Sequence, residues 1–166
     1  MRNNKGIEMK QCNKCNITKD DKDFSSNTRN KDGLQSYCRD CNNTIKREHG
    51  RTKSGVISRI YETQRTNSNK RGHGSVGYTK QELINWIDDV QFDKLYNDWV
   101  LADYSKGMKP SIDRKDDSVG YEFDNMLLMT WQENKDKHHR DVKSGVDNRI
   151  SKEVVQYDEY GTYMET

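Results

Sequence analysis

Residues 110–139 read PSIDRKDDSVGYEFDNMLLMTWQENKDKHH. Two short strand-like pieces, Pro110 to Arg114 and Asn125 to Met129, flank a polar loop that passes through Gly120. Thr130-Trp131-Gln132-Glu133 then has the form of a capping box, so a helix is expected to start there and run through Asn134 towards His138 and His139. The order is strand, loop, strand, helix. Folding these pieces back on one another brings Asp113, near the end of the first strand, and Asn134, near the start of the helix, towards one point. Their side chains offer oxygen ligands to a hard divalent ion such as magnesium. Lys137 and His138 follow Asn134 by one turn on the same side of the helix.

Upstream, Thr79-Lys80-Gln81-Glu82 is a second capping box, and Leu83, Ile84, Trp86, Ile87 and Val90 follow it at helical spacing. Phe92, Leu95, Tyr96, Trp99 and Val100 continue the pattern as a further short helix, and these segments are expected to supply most of the core. The spacing of Trp86, Trp99, Trp131, Tyr61 and Tyr96 favours core packing over base stacking. Before them, Val56, Ile57, Ile60, Tyr61 and Gln64 have the spacing of an amphipathic helix, ended by Gly72, Gly74 and Gly77. His73, between two of those glycines, and His49 read as solvated side chains. Around this helix lies a local basic stripe of Lys46, Arg47, Arg51, Lys53, Arg59, Arg65, Lys70 and Arg71, with only Glu48 and Glu62 against it. Such a stripe suits phosphate, and it equally suits a solvated helix face.

At the N-terminal end, Cys12, Cys15, Cys38 and Cys41 form two CxxC pairs separated by a loop. That spacing lets two turns each present two thiolates to one tetrahedral zinc, and a filled four-thiolate shell is structural. A staple of this kind is needed. Only 30% of the 166 residues are hydrophobic and 34% are charged, and mean hydropathy is −1.25. There is too little apolar material for one large core. The net charge of +2 is too small to mark a nucleic-acid binder by itself. No apolar run approaches a membrane span and the start is polar, so a cytoplasmic protein without membrane association is expected.

Ser111 to Asp117, Gly120-Tyr121, Asp124-Asn125 and Leu128 to Lys135 resemble the ββα-metal motif of phage-type HNH endonucleases. Ile60 to Gln64, Lys70 to His73 and Tyr78 to Trp86 are similar to the helical lead-in of the same proteins, so the resemblance covers roughly residues 55 to 140. It implies a nuclease using magnesium or manganese, with Asp113 and Asn134 as ligands and Asn125 tying the loop in place. It further implies double-stranded DNA as partner, held by the basic stripe and Lys137, and the host cell cytoplasm if the chain is phage-encoded. The sequence departs from the family at one position: Arg114 stands where the motif histidine is expected. Arginine stays protonated and is no ordinary general base. Arg114 is then expected to bind the scissile phosphate, with His138, His139 or a metal-bound water as base; salt bridging by Asp113 and Arg114 is an equally simple alternative. The tail from Ser151 to Tyr163 is similar to the opening hairpin of modular DNA-binding repeats attached to homing endonucleases.

The expected architecture is α+β: a four-cysteine zinc knuckle at 1–43, a basic helical linker at 44–78, an HNH-type ββα-metal domain at 79–142 and a hairpin tail at 143–166. The expected function is a nicking or homing-type DNA endonuclease, monomeric or homodimeric, with structural zinc and no organic cofactor. The alternative is a catalytically inactive nucleic-acid-binding module on the same scaffold.

Overall fold

The computed structural model describes residues 9–89 and 91–145, so the expected tail hairpin lies outside the described residues. The protein is mixed α+β, with five α-helices and three two-stranded antiparallel sheets among the described residues. It divides into two compact units, Met1–Gly55 and Val56–Thr166.

In the first unit, β1 (Met9–Gln11) pairs with β2 (Thr18–Asp20), and β3 (Phe24–Ser26) pairs with β4 (Leu34–Cys38). Helix α1 (Arg39–Arg51) follows directly on β4. Asn16 closes the first hairpin in a left-handed conformation (φ 57°), which asparagine tolerates better than most residues. The core of this unit is small: Phe24, Cys12 and Cys38 are buried, with Leu34, Cys15 and Cys41 packed against them. Sequence reading had anticipated turns here and not strands. The strands are three to five residues long, too short to show an alternating pattern.

The second unit has a conventional core. Helix α2 (Lys53–Lys70) brings in Val56 and Ile57. Helix α3 (Lys80–Asp89) adds Leu83 and Ile87, and α4 (Phe92–Leu101) adds Phe92 and Trp99. Strands β5 (Pro110–Arg114) and β6 (Met126–Thr130) contribute Ile112 and Met126. The segment expected as a linker is thus core helix over much of its length. Its polar Gln64 and Ser68 are buried too. The Tyr78 hydroxyl donates to Gln64 Oε1 at 2.9 Å, which satisfies part of that buried amide. Trp86, Trp99, Tyr61 and Tyr96 all pack on this core, in keeping with their spacing.

Both capping boxes form. Glu82 N–H donates to Thr79 Oγ1 at 3.2 Å, and Thr79 N–H donates back to the Glu82 carboxylate at 2.7 Å. Thr130 and Glu133 repeat the arrangement at the start of α5 (Trp131–Ser144). Beyond the cap, Trp131 N–H donates to the Lys109 carbonyl at 2.8 Å and Gln132 N–H to that of Gly107 at 2.9 Å. The first turn of α5 is therefore tied to the segment that enters β5, which fixes how the helix lies on the hairpin. No helix among the described residues is long and apolar enough to cross a membrane.

Candidate metal centre and ββα site

Cys12, Cys15, Cys38 and Cys41 come together, with all four sulfurs within 4.8 Å of one another. None is in a disulfide. Cys12 and Cys15 lie on the turn after β1, while Cys38 ends β4 and Cys41 sits in the first turn of α1. The backbone N–H of Cys38 donates to Cys12 Sγ at 3.2 Å. Burial raises the Cys12 thiol, but the N–H groups of Cys15, Cys38 and Lys14 outweigh it and bring it down to about 6. Cys41 is pushed up to about 12 by burial and by its three cysteine neighbours. Four sulfurs this close together are able to hold one metal ion as its thiolate ligands. Among the described residues it is the only group of three or more histidine, cysteine or carboxylate side chains close enough to do so.

The expected strand, loop, strand and helix all form. Strands β5 and β6 pair in a continuous antiparallel register from Pro110↔Thr130 to Arg114↔Met126. Alternation along β5 sends Ser111 and Asp113 to one face and Ile112 and Arg114 to the other. The first pair meets α5. Asn134 Nδ2 donates to Ser111 Oγ at 3.1 Å, and Lys137 Nζ lies 3.2 Å from Asp113 Oδ2. Lys137 Nζ is also 3.0 Å from Asp141 Oδ2, one turn further along the helix. Asp113 and Asn134 thus share the β5–α5 face, with Lys137 as the present partner of Asp113. Burial pulls the Lys137 ammonium down, but the bond to Asp141 and the charge of Asp113 together outweigh it and raise it. His138 and His139 follow on α5 with ring centroids 5.9 Å apart.

Asn125 laces the loop. Its Oδ1 accepts from Asp116 N–H at 2.9 Å, and its Nδ2 donates to the carbonyls of Asp116 at 3.0 Å and Gly120 at 2.9 Å. The Asn125 carbonyl accepts from Lys115 N–H at 2.8 Å. The loop is thereby closed across the end of the hairpin by one buried amide.

Arg114 is fully buried. Its Nη1 donates to the carbonyls of Asp117 at 2.8 Å and Val119 at 2.9 Å, and lies 3.1 Å from His73 Nε2. Nη2 pairs with Asp117 Oδ1 at 2.8 Å, and the guanidinium stands over the Tyr121 ring at 5.3 Å. Only Nε lacks a hydrogen-bond partner. Arg114 therefore braces the loop from inside, and reaching a phosphate would require it to leave these partners. Nη1 has two hydrogens for three neighbours, so its contact with the ring nitrogen of His73 is a shared one. Gly72 and Gly74, on either side of His73, both have positive φ (77° and 73°), which turns the chain so that the ring faces Arg114. Sequence reading missed His73, Asp117 and Asp141; the paired glycines were the one available signal, for His73.

The residues expected to hold DNA are distributed unevenly. Lys46, Arg47 and Arg51 lie on α1, while Lys53, Arg59, Arg65 and Lys70 lie on α2, with Arg71 just after it. Arg65 pairs with Glu62 at 3.5 Å and Arg71 donates to the Tyr121 hydroxyl at 3.4 Å. Lys137 is engaged by Asp113 and Asp141, as described above. Compared with protein-family models, with curated proteins and with solved structures, the chain finds no match.

Proposed function

We propose that the protein is a metal-dependent endonuclease of the HNH type, acting on double-stranded DNA, with zinc held structurally by Cys12, Cys15, Cys38 and Cys41. The observation that supports this reading is that Asn134 bonds Ser111 and Lys137 bonds Asp113 across the β5–α5 face, beside a loop laced by Asn125. A carboxylate and an amide are hard oxygen donors, which fits magnesium or manganese and not a soft metal. Asp113 and Asn134 would hold that ion, with Lys137 giving up its bond to Asp113. When bound, the ion supplies Lewis-acid stabilisation of the charge that develops on the phosphoryl oxygens.

The residues divide the remaining work. His138 or His139, one turn beyond Asn134, takes the proton from the attacking water. The water oxygen bonds to phosphorus, one P–O bond of the strand breaks, and the leaving oxygen takes up a proton. Lys137, freed from Asp113, is placed to meet the phosphate. Arg114 acts as a positioning residue that keeps the loop and hence Asp113 in place. A single centre breaks a single strand, so nicking is the expected product.

One observation favours the rival reading of a non-cutting DNA-binding module: Asp113 is already neutralised by Lys137 and no histidine adjoins it in the chain. Manganese titration followed by water-proton relaxation separates the two. The nuclease reading expects a site that is lost in Asp113→Asn and weakened in Asn134→Ala, together with cleavage of an end-labelled duplex. Equal manganese binding by all three proteins and an intact duplex would leave only the binding module.

A further inference from the structure

Between α2 and the start of β5 the second unit has a cleft of about 270 Å³, lined among others by Val56, Arg59, Lys109, Ser111 and Trp131. Two of these are cations. Neither Arg59 nor Lys109 takes part in an ion pair among the described residues. Burial pulls Lys109 below its ordinary value, and the charge of Arg59 adds to the effect. Lys106 Nζ stands 4.3 Å and Lys135 Nζ 5.6 Å from the ring centroid of Trp131, which lines the cleft, and they too make no ion pair among the described residues. Lys106 and Lys135 thus share the Trp131 ring, Lys109 Nζ stands 5.9 Å from the Trp99 ring centroid, and no carboxylate is paired to these lysines or to Arg59 among the described residues.

Desolvating one cation beside another is unfavourable unless an anion joins them. The arrangement is also held firmly. The Lys109 carbonyl accepts from Trp131 N–H at 2.8 Å, so the backbone that carries this lysine is tied to the start of α5. Ser111, which lines the cleft, accepts the bond from Asn134 at 3.1 Å. The cleft therefore adjoins the Asp113–Asn134 face through one shared side chain.

We infer that this cleft is a phosphate seat: Arg59 and Lys109 take one phosphodiester group of a DNA strand next to the Asp113–Asn134 face, with Lys106 and Lys135 neutralising its neighbours. The choice of DNA as source of the phosphate rests on the nuclease reading. The seat itself rests on the charges and the cleft. Lys109 was not among the cations that sequence reading marked for DNA, because it lies outside the basic stripe; folding brings it to Arg59.

The test is fluorescence anisotropy of a labelled duplex with the full-length, zinc-loaded chain over a series of salt concentrations, without added magnesium. In Arg59→Gln/Lys109→Met the slope of log affinity against log salt is expected to fall by about one, the share of one phosphate, with about a tenfold loss of affinity near 0.1 M salt. The charge-conserving Arg59→Lys/Lys109→Arg keeps the parent slope, which separates charge from folding. So does Lys22→Gln/Lys94→Gln, which removes as many charges from ion pairs elsewhere. A slope for Arg59→Gln/Lys109→Met equal to that of the control overturns the seat; if that parent nicks DNA, the nuclease reading survives alone. Loss of slope in Arg59→Gln/Lys109→Met beside a parent that never nicks keeps the seat and removes the nuclease. A parent that binds no duplex overturns both.

Discussion

Arg114 occupies a position where the sequence resemblance leads one to look for a proton acceptor, yet its surroundings are those of a structural brace. All its bonding is inward, to Asp117, Val119 and His73. Truncation to methionine removes the cationic half of a buried ion pair, so Arg114→Met is expected to lower stability by about 3–5 kcal/mol, the range for a broken buried ion pair. Urea unfolding followed by tryptophan fluorescence checks this, and a loss under about 1 kcal/mol would mean that the pair is replaceable. Asn125 makes a related case. Its side chain donates two hydrogen bonds to the loop and accepts one, and Asn125→Ala leaves their partners unsatisfied at about 1–3 kcal/mol for each group that water cannot reach. Its importance was legible in the sequence through the resemblance alone. That of His73 was not, since its partner lies 41 residues away in the chain.

At the scale of elements, the strand, loop, strand and helix of residues 110–144 were readable because every signal is local: two short apolar runs, a turn-rich loop and a capping box. That box gives a direct prediction. Thr130→Ala is expected to lower the stability of the second unit by about 1 kcal/mol, as for other lost N-caps, measured by the midpoint of thermal unfolding. Its pH dependence follows from the same contacts. Hydrogen bonds from Thr130 N–H and hydroxyl hold the Glu133 carboxyl below its ordinary value. Because the folded value is the lower one, the contribution is complete above the unfolded glutamate pKa of about 4.3 and is lost as pH falls through the folded value. Glu133→Gln should therefore show a shallower decline of stability below about pH 4.5 than the parent. A parallel decline in both would show that the box does not carry the effect. What local signals could not give is the placing of α2. Gln64 shares the spacing of the apolar residues, yet it is the bonds from Tyr78 to Gln64 and from Gln64 to Met126 that show why the amide can be buried.

At the scale of the whole molecule, two units with separate cores imply two separable stabilities. The first has one buried aromatic residue, Phe24, beside its cysteines. Removal of the cysteine-held metal with a chelator is expected to abolish protection from hydrogen exchange within residues 9–55 while residues 56–145 keep theirs, since a site of this kind supplies much of the folding free energy of a small unit. Collapse of both together would mean that the second core is not self-sufficient. The low apolar content that pointed to a metal staple was legible from composition. The partition of the chain between the units was not, because it depends on which core α2 joins. The central claim, that Asp113 and Asn134 form a working nuclease site, is tested most directly by the conversion of supercoiled plasmid to nicked circle. Parent, Asp113→Ala and Asn134→Ala proteins, matched in their melting curves, are compared with magnesium and with manganese. The expected result is nicking by the parent alone. Nicking undiminished in both variants, or by none of the three with either metal, would contradict it.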